Sequence, residues 1–127
     1  MIKTKNFNPQ TDVKLCCTCG NDGCDKRSVK QMYLNMLQRV RDDYGLPMII
    51  TSGGRCPLHP DELHRDEPAD HQKCLGGDVR ITGLIMAIKL IISASKFGFN
   101  AFGINLKKGF LHIGYRPEQT KVSVWTY

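Results

Sequence analysis

No stretch of this chain is apolar for long enough to cross a bilayer, which takes roughly 20 residues. The greasiest run, Leu84 to Ile92, is interrupted by Lys89 and suits a core helix instead. The opening residues, MIKTKNFNPQT, contain no apolar h-region. They therefore do not read as a secretory leader, and synthesis in the cytoplasm is expected. Internal repeats and low-complexity segments are absent, which argues against a solenoid or a disordered tail. Aromatic residues are scarce at 8% and form no ladder among the basic residues. With no nucleic-acid-binding motif either, nucleic acid is not an expected partner. Acidic residues also thin out along the chain. From His71 onward there are two acids against eight lysines and arginines, and this half carries the excess behind a net charge of +6. Five acids instead crowd into residues 61–70, as Asp61, Glu62, Asp66, Glu67 and Asp70.

The 127 residues present are enough for one domain with a real core and too few for two. A monomer is expected. Ser28 followed by Gln31 matches a capping box, so a helix is expected from Ser28. Met32 or Tyr33, Met36 or Leu37, Val40 and Tyr44 then recur at helical spacing until Gly45 and Pro47 stop it. Met48 to Thr51 reads as a short buried strand. Pro57, Pro60 and Pro68 make residues 52–70 irregular. Asp78 to Ile81 reads as a second strand, and Thr82 can cap a helix over 83–97 that ends at Gly98. Residues 101–106 and 110–115 form a hairpin around Lys107-Lys108-Gly109, and Val122 to Trp125 can add an edge strand. Two main helices flanking a small, mostly antiparallel sheet make an α+β domain.

Chemistry concentrates in three places. His71 and Asp78 stand seven residues apart in HQKCLGGD, and His112 follows in GFLHIGY. Imidazole and carboxylate are both good zinc ligands. Two close ligands plus a third from a distant strand is how open catalytic zinc sites are built, with water in the fourth position. Alternation along the hairpin turns Leu111 and Ile113 to the core and His112 to the opposite face. Upstream, Ile49-Ile50-Thr51-Ser52-Gly53-Gly54-Arg55 is an apolar strand running into a tight turn that ends in a guanidinium fork.

The order of these motifs resembles the D-alanyl-D-alanine carboxypeptidase family of zinc peptidases, whose fold is shared with the hedgehog signalling domain. The match is best with small phage and bacterial members: a Cys-rich start, a helix, SGxR, His-x6-Asp and a late Phe-x-His strand. It runs from about Phe7 to the C-terminus. The resemblance implies a Zn²⁺ held by His71, Asp78 and His112, and an Arg55 that orients the substrate's carboxylate or carbonyl. It also implies a short D-amino-acid peptide of peptidoglycan as substrate, met at the cell wall by a chain that is phage-encoded. Two departures stand out. Related enzymes place a general acid or base three residues before or two after the last zinc histidine, and here those positions are Gly109 and Gly114. Glu67, Asp70, His64 and Glu118 are the candidate replacements. Relatives also carry glycine three residues after the first histidine, where this chain has Cys74. The alternative is a metal-binding but catalytically silent domain that binds the cell wall or serves in a phage particle.

Cys16, Cys17, Cys19 and Cys24 crowd the N-terminal segment 15–25, Cys56 follows Arg55, and Cys74 lies between the two proposed ligands. Three readings are open. One is a second, structural zinc on Cys16 or Cys17, Cys19 and Cys24, with Cys56, Cys74 or His59 as fourth ligand. The others are disulfides and free buried thiols.

Overall fold

Tyr33, Leu34, Leu37 and Val40 fall on one side of a helix. In the computed structural model, which describes all 127 residues, they form the buried stripe of α1, Gln31–Tyr44. The helix does not begin at Ser28. The Ser28 hydroxyl donates to the Val29 carbonyl at 2.8 Å, Lys30 precedes the first turn, and no side chain caps it. Gln31 is drawn elsewhere: its amide takes the Lys3 N–H and donates to the Lys3 carbonyl, both at 2.9 Å. Together with Gln38, which bonds Thr4 and Asn6, it straps the N-terminal arm along the helix. Thr82 likewise does not cap the second helix, α2, Leu84–Lys96. Gly83 holds that position, and the Thr82 hydroxyl turns to the Met86 sulfur. Asp43 joins the two helices, accepting from Ser93 Oγ at 2.7 Å and Lys96 Nζ at 3.3 Å.

Five strands form one sheet: β1 Ile50–Ser52, β2 Gly76–Arg80, β3 Ala101–Asn105, β4 Phe110–Gly114 and β5 Ser123–Thr126, in the order β1-β2-β4-β3-β5. All neighbours are antiparallel except β3 and β5, which run parallel. The architecture is therefore α+β with a mostly antiparallel sheet, as the periodicities imply. Residues 53–75 contain neither helix nor strand.

The pleat separates two faces. Val79, Phe102, Ile104, Leu111 and Ile113 turn inward and join the helices' apolar residues in one core of 20 buried side chains. Burying an aliphatic or aromatic side chain of this kind is worth about 1.5–3 kcal/mol. The Tyr33 hydroxyl crosses that core and donates to the Ile113 carbonyl at 2.6 Å, so α1 is keyed to the strand that carries His112. On the other face, cross-strand partners line up as a row: Ser52 beside Asp78, Asp78 beside His112, His112 beside Gly103, and Gly103 beside Trp125. A Cβ at Gly103 would lie 2.5 Å from Trp125 Nε1, so the missing side chain lets the indole lean over the row toward His112.

Candidate metal centre

Asp78 and His112 are directly paired on adjacent central strands, so their side chains emerge side by side. His71 comes from the end of the irregular loop. Its position is set by the loop backbone, with Arg55 N–H donating to the His71 carbonyl at 3.1 Å. The three converge. His71 Nε2 lies 3.1 Å from Asp78 Oδ1, and His112 Nδ1 lies 3.0 Å from that oxygen and 3.1 Å from His71 Nε2. The edge of a tetrahedron with zinc–nitrogen bonds of ordinary length is about 3.3 Å, so the triangle is nearly that of a filled site. All three residues are buried, at 4–7% exposure.

The outer contacts fix which atoms are lone pairs. His71 Nδ1 sits 2.7 Å from the Gly53 carbonyl, which can only accept, so Nδ1 carries the hydrogen and Nε2 is bare. His112 Nε2 sits 2.8 Å from Asp70 Oδ2, so Nε2 carries the hydrogen and Nδ1 is bare. Two imidazole lone pairs and a carboxylate oxygen thus face one another with no donor between them. That arrangement repels itself unless a cation occupies the centre, and the residues present fit a metal ion. Outer partners that orient ligating histidines in this way are a regular part of metal sites.

The charges follow the same logic. With a proton rather than a metal in the centre, burial works against ionisation of Asp78, but hydrogen bonding from His112 and His71 prevails and holds its carboxyl well below the usual range. Burial opposes ionisation of Asp70 too, yet His112 and Arg116 bring it down to about 2. Burial disfavours a charged His112, while Asp70 and Asp78 outweigh it and raise that pKa. A proton is therefore the natural competitor of the metal at this site.

Asp70, one of the four candidate bases, is committed elsewhere. Its Oδ2 takes the His112 N–H, and its Oδ1 takes Arg116 Nε at 2.9 Å. Its space is provided by Gly114, where a Cβ would stand 2.6 Å from Asp70 Oδ2. The glycine two residues after His112 is thus the complement of a carboxylate arriving from the loop.

A model of the family described as Peptidase M15 matches residues 5–114. The chain belongs to the peptidase M15 family. No curated protein and no solved structure gives a significant match. M15 peptidases are metallopeptidases, and the α+β fold with its triad of His71, Asp78 and His112 agrees with that membership.

In this M15 domain the triad borders a cleft of about 480 Å³. Arg55 stands on the same side, with Nε on Ser52 Oγ at 3.2 Å, Nη1 on Glu62 Oε2 at 3.5 Å and Nη2 on Asp78 Oδ2 at 3.4 Å. One oxygen of Asp78 therefore faces the histidines and the other faces Arg55. Glu62, only 3% exposed, was not singled out from the sequence. It is the buried counter-ion of Arg55 and Arg65. The cleft is also lined by Arg65, Lys108, Arg116, Phe110, Trp125 and Tyr127. Of the other candidate bases, His64 lines it, whereas Glu67 and Glu118 do not. Asp61, also missed, lines it with only loose contacts, 3.7 Å to Arg55 and 3.8 Å to His59.

None of the six cysteines of the M15 domain is joined in a disulfide. Cys17, Cys19, Cys24 and Cys56 gather with their sulfurs within 4.8 Å of one another. Cys16 points away to the Pro9 carbonyl, and Cys74 to that of Gln72. His59 donates no ligand to the cluster; its Nδ1 accepts the Asp61 N–H. Cys74 adopts a left-handed φ of 63°, a conformation natural to glycine.

Proposed function

We propose that this M15 domain is a zinc-dependent peptidase that hydrolyses short D-amino-acid peptides of peptidoglycan. The observation that carries the reading is the convergence of His71 Nε2, Asp78 Oδ1 and His112 Nδ1, with the two nitrogens left bare because the outer contacts to Gly53 and Asp70 take the ring hydrogens. Two nitrogens and one oxygen on an otherwise open cleft is the donor set of a catalytic zinc rather than a structural one. When bound, the ion would supply Lewis acidity and a water activated near neutral pH.

The chain's own residues account for the remaining work. Arg55, held by Ser52 and Glu62, aims its Nη2 at the edge of the triad, where it can bond a substrate carbonyl or carboxylate. Lys108, Arg65 and Arg116 line the cleft as further cations, which suits a peptide with a free carboxylate. Phe110, Trp125 and Tyr127 offer apolar contact to its small side chains. Asp61 takes the part of proton carrier. It is the one carboxylate lining the cleft that is neither a ligand nor bound to a histidine ligand. The D-configuration of the substrate rests on the motif resemblance.

The test is hydrolysis of a synthetic peptide ending in D-alanyl-D-alanine, followed by chromatography of the products. Cleavage by the wild type is expected, lost on chelation, restored by zinc and absent in His112→Ala. Full zinc occupancy of the triad without cleavage of that peptide or of purified peptidoglycan would favour the catalytically silent, wall-binding alternative.

A further inference from the structure

Residues 18–26 pose a physical problem. They contain no helix and no strand, and none of them is buried. Ordering such a segment costs conformational entropy that apolar burial does not offset here. Yet the segment and its flanks are held in place. Asn21 Nδ2 donates to the Leu58 carbonyl in the loop that follows β1 at 2.9 Å, while at the flanks Leu15 accepts the Gly54 N–H at 3.1 Å and Cys17 N–H donates to the Arg27 carbonyl at 2.9 Å. At the centre of this contact stand Cys19 and Cys24 from the segment, Cys17 at its edge and Cys56 from the loop.

We infer that these four cysteines hold a second, structural metal ion as a closed tetrathiolate site, with zinc the fitting metal. The sulfurs lie within 4.8 Å of one another, and Cys19 and Cys56 are 3.5 Å apart. A disulfide needs about 2.05 Å. The edge of a zinc–sulfur tetrahedron is about 3.8 Å, which the observed spacing approaches. The backbone is arranged to match. One backbone N–H is turned directly to a sulfur of the cluster. The Lys26 N–H reaches Cys24 Sγ at 3.3 Å, and Lys26 adopts a left-handed φ of 54° to do so. An N–H aimed at sulfur serves an acceptor, which is what a metal-bound thiolate is.

The site has a consequence for the cleft. Cys56 adjoins Arg55, and the same turn contributes the Gly53 carbonyl that fixes the His71 tautomer. The tetrathiolate would thus anchor the wall of the first site from behind, without touching substrate.

Cobalt-exchanged protein tests this directly, since thiolate–cobalt bonds give intense near-ultraviolet charge-transfer absorption and histidine–carboxylate sites do not. The wild type is expected to show that absorption and about two metal ions per chain. Cys24→Ala should abolish the absorption and bring metal content down to about one, and His112→Ala should lose about one ion and keep the absorption. Cys16→Ser, outside the cluster, should change neither. A wild type without the charge-transfer band would overturn the inference, as would an intact mass showing a Cys19–Cys56 disulfide, or equal metal loss from Cys16→Ser and Cys24→Ala. Because the wild-type spectrum is read without any variant, misfolding of Cys24→Ala does not shelter the idea. Because His112→Ala is read separately, failure of the peptidase site is distinguishable.

Discussion

Replacing Asp70 by asparagine separates positioning from catalysis at the first site. The side chain keeps its shape but not its two acceptors. In the wild type Oδ2 accepts from His112 Nε2 at 2.8 Å and Oδ1 from Arg116 Nε at 2.9 Å. An asparagine has one carbonyl oxygen for these two donors. If the oxygen serves His112, the amide hydrogens oppose Arg116. If it serves Arg116, they oppose the His112 N–H, and the imidazole is pushed toward the tautomer that places a hydrogen on Nδ1, where a metal would bind. Asp70 is 6% exposed, so water offers little relief. Outer-shell substitutions of this kind typically lower metal affinity by about 10- to 100-fold, or about 1.4–2.8 kcal/mol. Competition with a chromophoric chelator measures that affinity, and peptide hydrolysis at rising zinc measures the rate. The expected outcome is weaker binding, with the rate restored once zinc saturates. Unchanged affinity would refute the positioning role. A rate that stays low at full occupancy would make Asp70 the proton carrier instead.

Three further outcomes follow from the same geometry. Asp61→Asn should lower kcat by about 10²–10⁴-fold with metal binding unchanged, and a near-wild-type rate would move the proton carrier to His64. Gly103→Ala should displace Trp125 and raise KM by about 10-fold, or roughly 1.4 kcal/mol, with kcat and metal content little altered; a crystal structure of the variant with the indole in place would contradict it. Hydrogen bonds from Ser93 and then Lys96 depress the Asp43 pKa in the folded chain. Its stabilising effect is therefore present above the unfolded carboxylate pKa and lost as pH falls through the lower folded value. Asp43→Asn should lower the urea midpoint at neutral pH, with the difference from wild type fading as the medium is made strongly acidic. A difference that persists in acid would rule out this ionic origin.

The parts of this molecule legible in its sequence are those set by local periodicity. Leu111 and Ile113 alternate with His112, and that pattern alone placed the histidine on the face away from the core. The stop of α1 at Gly45 and the turn at Lys107-Lys108-Gly109 are local in the same way. Helix starts failed because the side chains concerned had other partners. Ser28 bonds its neighbour's carbonyl, and Gln31 is claimed by Lys3 from the N-terminal arm. Asp70 could be named as an acid in the site but not assigned to His112, because that contact spans 42 residues and depends on the space left by Gly114. Asp61 was hidden among five loop acids that composition cannot rank. The cysteines were ambiguous for a similar reason. The familiar two-residue spacing links Cys16 to Cys19, whereas the fold turns Cys16 outward and brings Cys56 in from beyond Arg55.

The proposed peptidase stands or falls on three named atoms holding its metal. An anomalous difference map, collected above and below the zinc edge on crystals grown with zinc, tests it most directly. A peak is expected within bonding distance of His71 Nε2, Asp78 Oδ1 and His112 Nδ1, with His112 Nε2 still on Asp70. A map empty at that position, or a peak coordinated through His112 Nε2 instead, would contradict it.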